Sequence, residues 1–279
     1  MPAGAAGAGR ALGAARRART VRARSGTMAR MRAADPPPPT AHAAVLAPME
    51  GVIDAPMRAL LTSLGGYGRA VTEFVRVSEQ RLPERVFLRL CPELETGGTT
   101  PCGVPVYVQL LGSDGPALAA NAVRAAALGA PGIDLNFGCP AKTVNRSEGG
   151  SVLLKDPARV GAIVAAVREA TPPEVPVTVK VRLGFESPDR IDEIAARVRA
   201  AGADELAVHA RTKADGYRPP ARWPLVAPVA DARTRINGEI WTVADARAAR
   251  ASATVQISPL MRVAGSATGA TSGQRAGGR

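Results

Sequence analysis

Short apolar runs rich in β-branched residues alternate along the middle of the chain with Ala-rich stretches. The runs predict β-strands at Val45–Ala47, Ala70–Thr72, Val106–Val108, Gly132–Leu135, Val175–Val181 and Glu205–Val208. The intervening stretches predict helices at Pro116–Leu128, Pro157–Ala170, Asp189–Ala201 and Val243–Arg250. Strands and helices alternating at this spacing predict βαβ units and a parallel sheet, and strands that are apolar throughout are typical of a sheet covered on both faces.

Polar or reactive residues follow or end almost every predicted strand. They are Met49, Glu50, Glu73, Gln109, Asn136, Lys180, Arg182, His209, Arg211 and Asn237. Functional groups at the carboxyl ends of successive strands are typical of a (β/α)8 TIM barrel, whereas a doubly wound sheet would collect them at one switch point. No G-x-G-x-x-G motif follows the first strand, so the pattern favours the barrel.

Composition narrows the class of protein. The 279 residues are 46% hydrophobic and 22% charged, which suffices for one large domain or two small ones. No run of about 18 uncharged apolar residues predicts a membrane span. Three cysteines without CxxC spacing argue against a disulfide framework or a zinc site, and they favour a cytoplasmic protein that binds no metal.

The net charge of +12 is concentrated at the two ends of the chain. Residues 1–42 carry +7 and residues 250–279 carry +4, which leaves +1 for the 207 residues between them. The composition of residues 1–42 predicts a disordered basic tail. It could be an extension without function, an organelle-targeting segment or an arm that contacts RNA, and these alternatives stay open. We likewise expect residues 251–279, which are rich in Gly, Ala and Ser, to form a disordered tail. The barrel domain is then residues 43–250. Overall charge is therefore weak evidence about what the folded part binds.

Two residues carry the strongest chemical signals. Cys139 follows a predicted strand on a Gly-Cys-Pro turn. A free cysteine is most often a buried apolar residue, but the glycine-containing loop that follows favours a catalytic thiol. Lys180 interrupts an apolar strand, so its ammonium either forms an internal ion pair or faces an anionic ligand such as the pyrimidine edge of a flavin.

The order of motifs resembles that of the tRNA-dihydrouridine synthases over roughly residues 43–250. The matching segments are Ala47–Val52, Thr72–Phe74, Val108–Leu110, Asp134–Pro140, Lys180–Arg182, Val208–Thr212 and Asn237–Trp241. Three segments, Thr72–Val77, Leu82–Leu94 and Asn237–Trp241, are most similar to the branch that acts on uridine 16 of the D-loop.

The resemblance implies a cofactor, a substrate and a role for each matching residue. It implies FMN reduced by NADPH or NADH, tRNA as the partner and Cys139 as the general acid. We also expect a monomer that acts without a metal or a membrane. The FMN contacts would be Pro48, Met49, Glu50, Gln109, Lys180, His209, Asn237, Gly238 and Glu239. Asn136 would hydrogen-bond the uracil, and Arg76 and Tyr217 would contact the RNA.

The end of the chain departs from the family pattern. Arg233 and Arg235 interrupt the expected seventh strand, and only Thr254–Ile257 is left as a trace of the eighth. Neither the Gly-Arg-Gly turn that binds the FMN phosphate nor the C-terminal helical domain is recognisable. We therefore expect a truncated or frame-shifted member with degenerate last strands, unpaired barrel edges, weak FMN binding and impaired activity.

Two other functions stay open. The chain could be an FMN barrel oxidoreductase that reduces a free small molecule, in which case Gln109 and Lys180 would keep their roles but Arg76 and Tyr217 would not contact RNA. Alternatively, it could be an inactive RNA-binding fragment.

Overall fold

The computed structural model describes residues 44–250 and 254–257. The predicted tails, residues 1–42 and 251–279, lie outside these residues except for 254–257. The strands within the described ranges are β1 (Ala44–Leu46), β2 (Tyr67–Val71), β3 (Val75–Arg76), β4 (Val106–Leu111), β5 (Ile133–Asn136), β6 (Val177–Arg182), β7 (Glu205–His209), β8 (Thr234–Asn237) and β9 (Thr254–Ile257).

The strands form one parallel sheet that closes on itself. Their order is β2-β1-β9-β8-β7-β6-β5-β4-β3, and β2 also pairs with β4, where Ala70 lies opposite Val106. The two-residue strand β3 pairs with the carboxyl end of β4, whereas β2 pairs with its amino end. β2 and β3 therefore lie along the same side of β4 and count as one position in the barrel. The ring therefore contains eight strand positions, and the predicted TIM barrel is confirmed.

Helices follow the strands in the order expected of βα units. They are α1 (Ala55–Ser63), α2 (Glu84–Leu90), α3 (Gly115–Ala127), α4 (Lys142–Arg146), α5 (Pro157–Ala170), α6 (Ile191–Ala200) and α7 (Val243–Arg250). Asp54, Asp114 and Asp156 each accept a backbone N–H of the first turn of α1, α3 and α5, and a proline stands in that same turn. An aspartate cap followed by proline satisfies a donor and fixes the backbone angle, so these helices begin at defined residues.

The core lies between the barrel and the outer helices. Val108, Leu135 and Val179 of three neighbouring strands are at most 1% exposed, as are Leu118 of α3 and Val164 of α5. Side chains alternate along a strand, so the polar residues between these apolar ones face the barrel interior. Burial of a polar group there costs free energy unless the group is hydrogen-bonded, so these side chains are expected to bind one another.

The last two strands are short but complete the ring, which corrects the expectation of unpaired edges. β9 pairs with β1 on one side and with β8 on the other. The Arg235 side chain of β8 is largely buried, and its Nε lies 2.6 Å from the Glu205 carboxylate. The same carboxylate also pairs with Arg69. Arg233 stays outside, with its side chain 59% exposed near Asp231. Charged residues in this strand are thus compatible with closure, since the barrel supplies a carboxylate.

Candidate active site

A cavity of about 400 Å³ opens at the carboxyl ends of the barrel strands. Ten residues that sequence analysis assigned to the site line it: Pro48, Met49, Glu50, Gln109, Asn136, Cys139, Lys180, His209, Tyr217 and Asn237. Gly238 and Glu239 line a small neighbouring cavity together with His209 and Asn237. Arg76 does not line the main cavity, but it lines two others, one of which shares lining residues with the main cavity.

The turn that carries Cys139 is fixed by hydrogen bonds on both sides. The side-chain oxygen of Asn136 accepts the N–H of Gly138 at 2.9 Å and that of Cys139 at 3.0 Å. The carbonyl of Cys139 accepts hydrogen bonds from the Asn145 amide at 3.0 Å and the Ser151 hydroxyl at 2.9 Å. The half-buried thiol is therefore presented to the cavity from a backbone that is held in place. Burial raises the pKa of Cys139, so the sulfur keeps its proton at neutral pH.

A chain of hydrogen bonds runs from this turn into the barrel interior. The Asn136 amide donates to Gln109 Oε1 at 2.8 Å, and Gln109 Nε2 donates to Asp134 Oδ2 at 2.7 Å. The Thr178 hydroxyl donates to the other Asp134 oxygen at 2.5 Å. Asp134 is 2% exposed, and burial raises its pKa. Its carboxyl group fixes which end of the Gln109 amide points toward Asn136, although sequence analysis did not assign Asp134 to the site.

Lys180 lies opposite Asn136 on the neighbouring strand and is bound by neutral oxygens. Its Nζ donates to Asn237 Oδ1 at 2.9 Å and to Gln256 Oε1 at 3.2 Å. No carboxylate of the described residues forms an ion pair with it, and burial lowers its pKa to about 8. An ammonium has three N–H donors, so one is left for a ligand in the cavity. This arrangement favours the ligand-facing interpretation of Lys180 over the internal ion pair.

His209 is a neutral ring held by Arg211. The guanidinium of Arg211 lies 3.2 Å from His209 Nε2, and a guanidinium can only donate, so Nε2 is the acceptor and the proton sits on Nδ1. Burial lowers the pKa of His209 well below its usual value, and the nearby cations Lys180, Arg182 and Arg211 add to the effect. The ring can therefore donate one hydrogen bond but cannot act as an acid at neutral pH. Arg211 is in turn held in place by an ion pair with the Glu239 carboxylate at 3.1 Å.

Arg182 and Tyr217 form one side of the cavity mouth. Arg182 donates to the carbonyl of Gly138 at 2.8 Å and to the carbonyl of Gly216 at 2.8 Å, so it joins the Cys139 turn to the loop that carries Tyr217. The Tyr217 ring lies 5.3 Å from the Arg182 guanidinium and remains 56% exposed. A large exposed aromatic ring beside a polar cavity offers a surface on which another ring can stack.

Within residues 44–250 and 254–257, no group of three or more His, Cys, Asp or Glu side chains is placed to hold a metal ion. None of the helices in this part of the chain is long and apolar enough to cross a membrane.

Solved structures with the same architecture place the molecule in a class. A variant of NCR from Zymomonas mobilis aligns with a TM-score of 0.54 at 14% identity, covering 77% of this chain and 81% of that one. A putative phosphonomutase from Burkholderia cenocepacia J2315 aligns with a TM-score of 0.51 at 16% identity, covering 78% and 88%. At such identities the likeness concerns the fold alone, and it defines a TIM-barrel protein with its cavity at the carboxyl ends of the strands.

Sequence comparison identifies the family. Residues 45–261 match the dihydrouridine synthase (Dus) model, and the chain belongs to this family. It is 56% identical over 209 residues to a tRNA-dihydrouridine(16) synthase of Shewanella oneidensis, covering 73% of this chain and 65% of that protein. A protein of the same name from Pseudomonas putida is 55% identical over 208 residues, covering 74% and 64%. The chain thus spans slightly less than two thirds of the length of these relatives.

Proposed function

We propose that this chain reduces a uridine in the D-loop of tRNA to 5,6-dihydrouridine, with FMN as cofactor and NADPH or NADH as reductant. The observation that carries the proposal is that two groups line one cavity: the protonated thiol of Cys139, and the Lys180 ammonium, which forms no ion pair with a carboxylate of the described residues. Membership of the dihydrouridine synthase family and the names of the relatives support the choice of substrate.

The donor groups of the cavity fit a flavin ring. Lys180 has an N–H donor to spare, His209 can donate from Nδ1, and the Gln109 amide is held by Asp134 and Asn136. A ring edge rich in carbonyl oxygens and nitrogens complements such donors, and an ammonium beside it stabilises negative charge. Bound FMN would supply the hydride that reduces the pyrimidine ring.

The residues of this chain hold the base and supply a proton. Cys139 Sγ donates its proton to C5 of the uracil, and the raised pKa keeps that proton in place up to alkaline pH. The Asn136 side-chain oxygen accepts the N–H groups of Gly138 and Cys139, and one amide N–H donates to Gln109, so the other amide N–H can meet a uracil oxygen. Tyr217 at the mouth offers a stacking surface for a base withdrawn from the RNA stack.

Dihydrouridine formation by purified protein tests this proposal. Unmodified tRNA transcript is incubated with the chain, excess FMN and NADPH, and dihydrouridine is quantified by mass spectrometry of the digested RNA. Wild-type protein and the control Cys102→Ala should form it, whereas Cys139→Ala should be slower by at least about 100-fold, the usual contribution of a general acid. Equal product with Cys139→Ala would refute the role of the thiol. Reduction of a free enone but of no tRNA would favour the small-molecule oxidoreductase instead.

A further inference from the structure

A second cavity, of about 350 Å³, adjoins the active-site cavity. The two share four lining residues: Glu50, Glu73, Phe74 and Ala141. Helix α2 and the segment before it form another wall of the second cavity, and the short helix α4 that follows the Cys139 turn contributes Thr143 and Val144. The second cavity therefore lies directly beside the active-site cavity, on the side where Glu50, Glu73, Phe74 and Ala141 line both.

The walls of the second cavity combine an apolar surface with cations. Phe74, Leu82, Val86 and Leu90 are half-buried and line it, and the guanidinium groups of Arg76 and Arg89 are exposed beside them. A nucleotide presents the same pair of features, since its base has an apolar face and its phosphate carries a negative charge. Apolar contact with the base and guanidinium contact with the phosphate are the usual modes of single-strand recognition.

The charges around the cavity indicate where each part of a nucleotide fits. Arg76 is held in place, because its Nη2 donates to the Ser147 hydroxyl at 2.8 Å and to the carbonyl of Thr143 at 3.3 Å. The Arg89 side chain forms no hydrogen bond or ion pair with another described residue, so its charge is available to a ligand. The carboxylates Glu50 and Glu73 on the shared boundary disfavour an anion there and can accept N–H groups of a neutral base.

We propose that the second cavity holds a nucleotide next to the reduced uridine in the same RNA strand, with its base against α2 and its phosphate at Arg76 and Arg89. The inference rests on the proposed function, because it assumes that the target base occupies the active-site cavity. A strand with one base in that cavity must place its neighbours close by, and the shared boundary offers the space for one of them.

Photocrosslinking tests which residues contact the neighbouring nucleotide. D-arm RNA with a single 4-thiouridine directly 5′ or directly 3′ of the target uridine is bound to the FMN-loaded protein and irradiated, and the modified peptide is sequenced. We expect an adduct within residues 82–90 from at least one of the two positions. Adducts confined to other segments from both positions would overturn the proposal. Dihydrouridine is measured in the same samples, so a failure of the proposed function is recognised separately.

A matched pair of arginine variants tests the cation. Arg85 and Arg89 lie one turn apart on α2 and are both exposed, but only Arg89 lines the cavity. Arg89→Ala should raise the KM for tRNA about 5- to 10-fold with an unchanged kcat, and it should reduce the slope of log KM against log salt by about 1. Arg85→Ala should behave as wild type, and Arg89→Lys should restore part of the affinity. Indistinguishable KM values for the two alanine variants would contradict the proposal.

Discussion

Replacement of Lys180 by methionine tests the electrostatics of the site through protein stability. The ammonium is bound by the side-chain oxygens of Asn237 and Gln256, and burial holds its pKa at about 8 instead of 10.5. Methionine keeps a similar length and apolar volume but carries no charge. The variant loses two hydrogen bonds and no longer has to bury an ammonium, so its stability at any single pH is a poor test. The pH dependence isolates the charge.

The magnitude follows from proton linkage. Because the folded-state pKa of Lys180 is below its unfolded value, the unfolded chain binds more protons between pH 8 and pH 10.5, and this group makes stability rise with pH in that window. At pH 7 the buried ammonium lowers the free energy of unfolding by about 3 kcal/mol, and most of this cost is gone by pH 10. The stability of wild type relative to Lys180→Met should therefore increase by about 2–3 kcal/mol from pH 7 to pH 10.

Denaturant unfolding at several pH values measures this difference. Both proteins are unfolded with urea between pH 7 and pH 10, and the free energies of unfolding are subtracted at each pH so that other titrating groups cancel. The exposed Lys142→Met variant is the control and should show no such trend relative to wild type. A difference between wild type and Lys180→Met that stays constant within about 0.5 kcal/mol would refute the buried-ammonium account of Lys180.

Three further predictions concern the cysteines and a buried ion pair. Iodoacetamide at pH 8 should modify Cys102 first, Cys139 more slowly and Cys91 last, as followed by mass spectrometry. Two threonine hydroxyl bonds bring the pKa of Cys102 below its usual value although burial alone raises it, whereas burial raises that of Cys139 and takes that of Cys91 to about 12. Dihydrouridine formation should hold its rate up to about pH 7.5, where Cys139 and Lys180 are both protonated, and should fall as pH rises through about 8, where Lys180 loses its proton while Cys139 keeps its own; a rate that falls already below pH 7, or that stays constant up to pH 9, would contradict these assignments. Glu93→Ala should lower the free energy of unfolding by about 3–5 kcal/mol, since it leaves the fully buried Arg58 without its partner at 2.8 Å, and a loss below about 1 kcal/mol in urea unfolding would argue against the pair.

The strands could be predicted from sequence because both faces of a barrel strand are buried, one under the helices and one inside the barrel. Burial on both faces produces the nearly continuous apolar runs that mark the strands. The prediction located β5, β6 and β7 to within about two residues at each end. It began the second strand at Ala70, whereas β2 starts at Tyr67, because the half-buried Tyr67–Arg69 segment lacks a continuous apolar run. It also placed no element at α1 or α2, which are short and have mixed polar and apolar residues.

The parts of the site that escaped prediction depend on contacts between distant segments. Asp134 looks like an isolated acid in an apolar strand, and only the barrel brings it next to Gln109 and Thr178. Gln256 lies in a segment that resembles a tail, yet β9 places its side chain on the Lys180 ammonium. Glu205 likewise accommodates Arg235, whose charge alone suggested an incomplete barrel. Sequence patterns located the residues that end strands, but not the partners that hold them.

Reoxidation of the protein-bound flavin by tRNA is the most direct measurement of the central claim. The chain is loaded with FMN and reduced anaerobically, then mixed with unmodified tRNA in a stopped-flow instrument that follows flavin absorbance. Wild-type protein should regain the oxidised spectrum only when tRNA is present, with one dihydrouridine formed per flavin, and Cys139→Ala should do so at least about 100-fold more slowly. Reoxidation that ignores tRNA, or that proceeds equally fast without the thiol, would contradict the account.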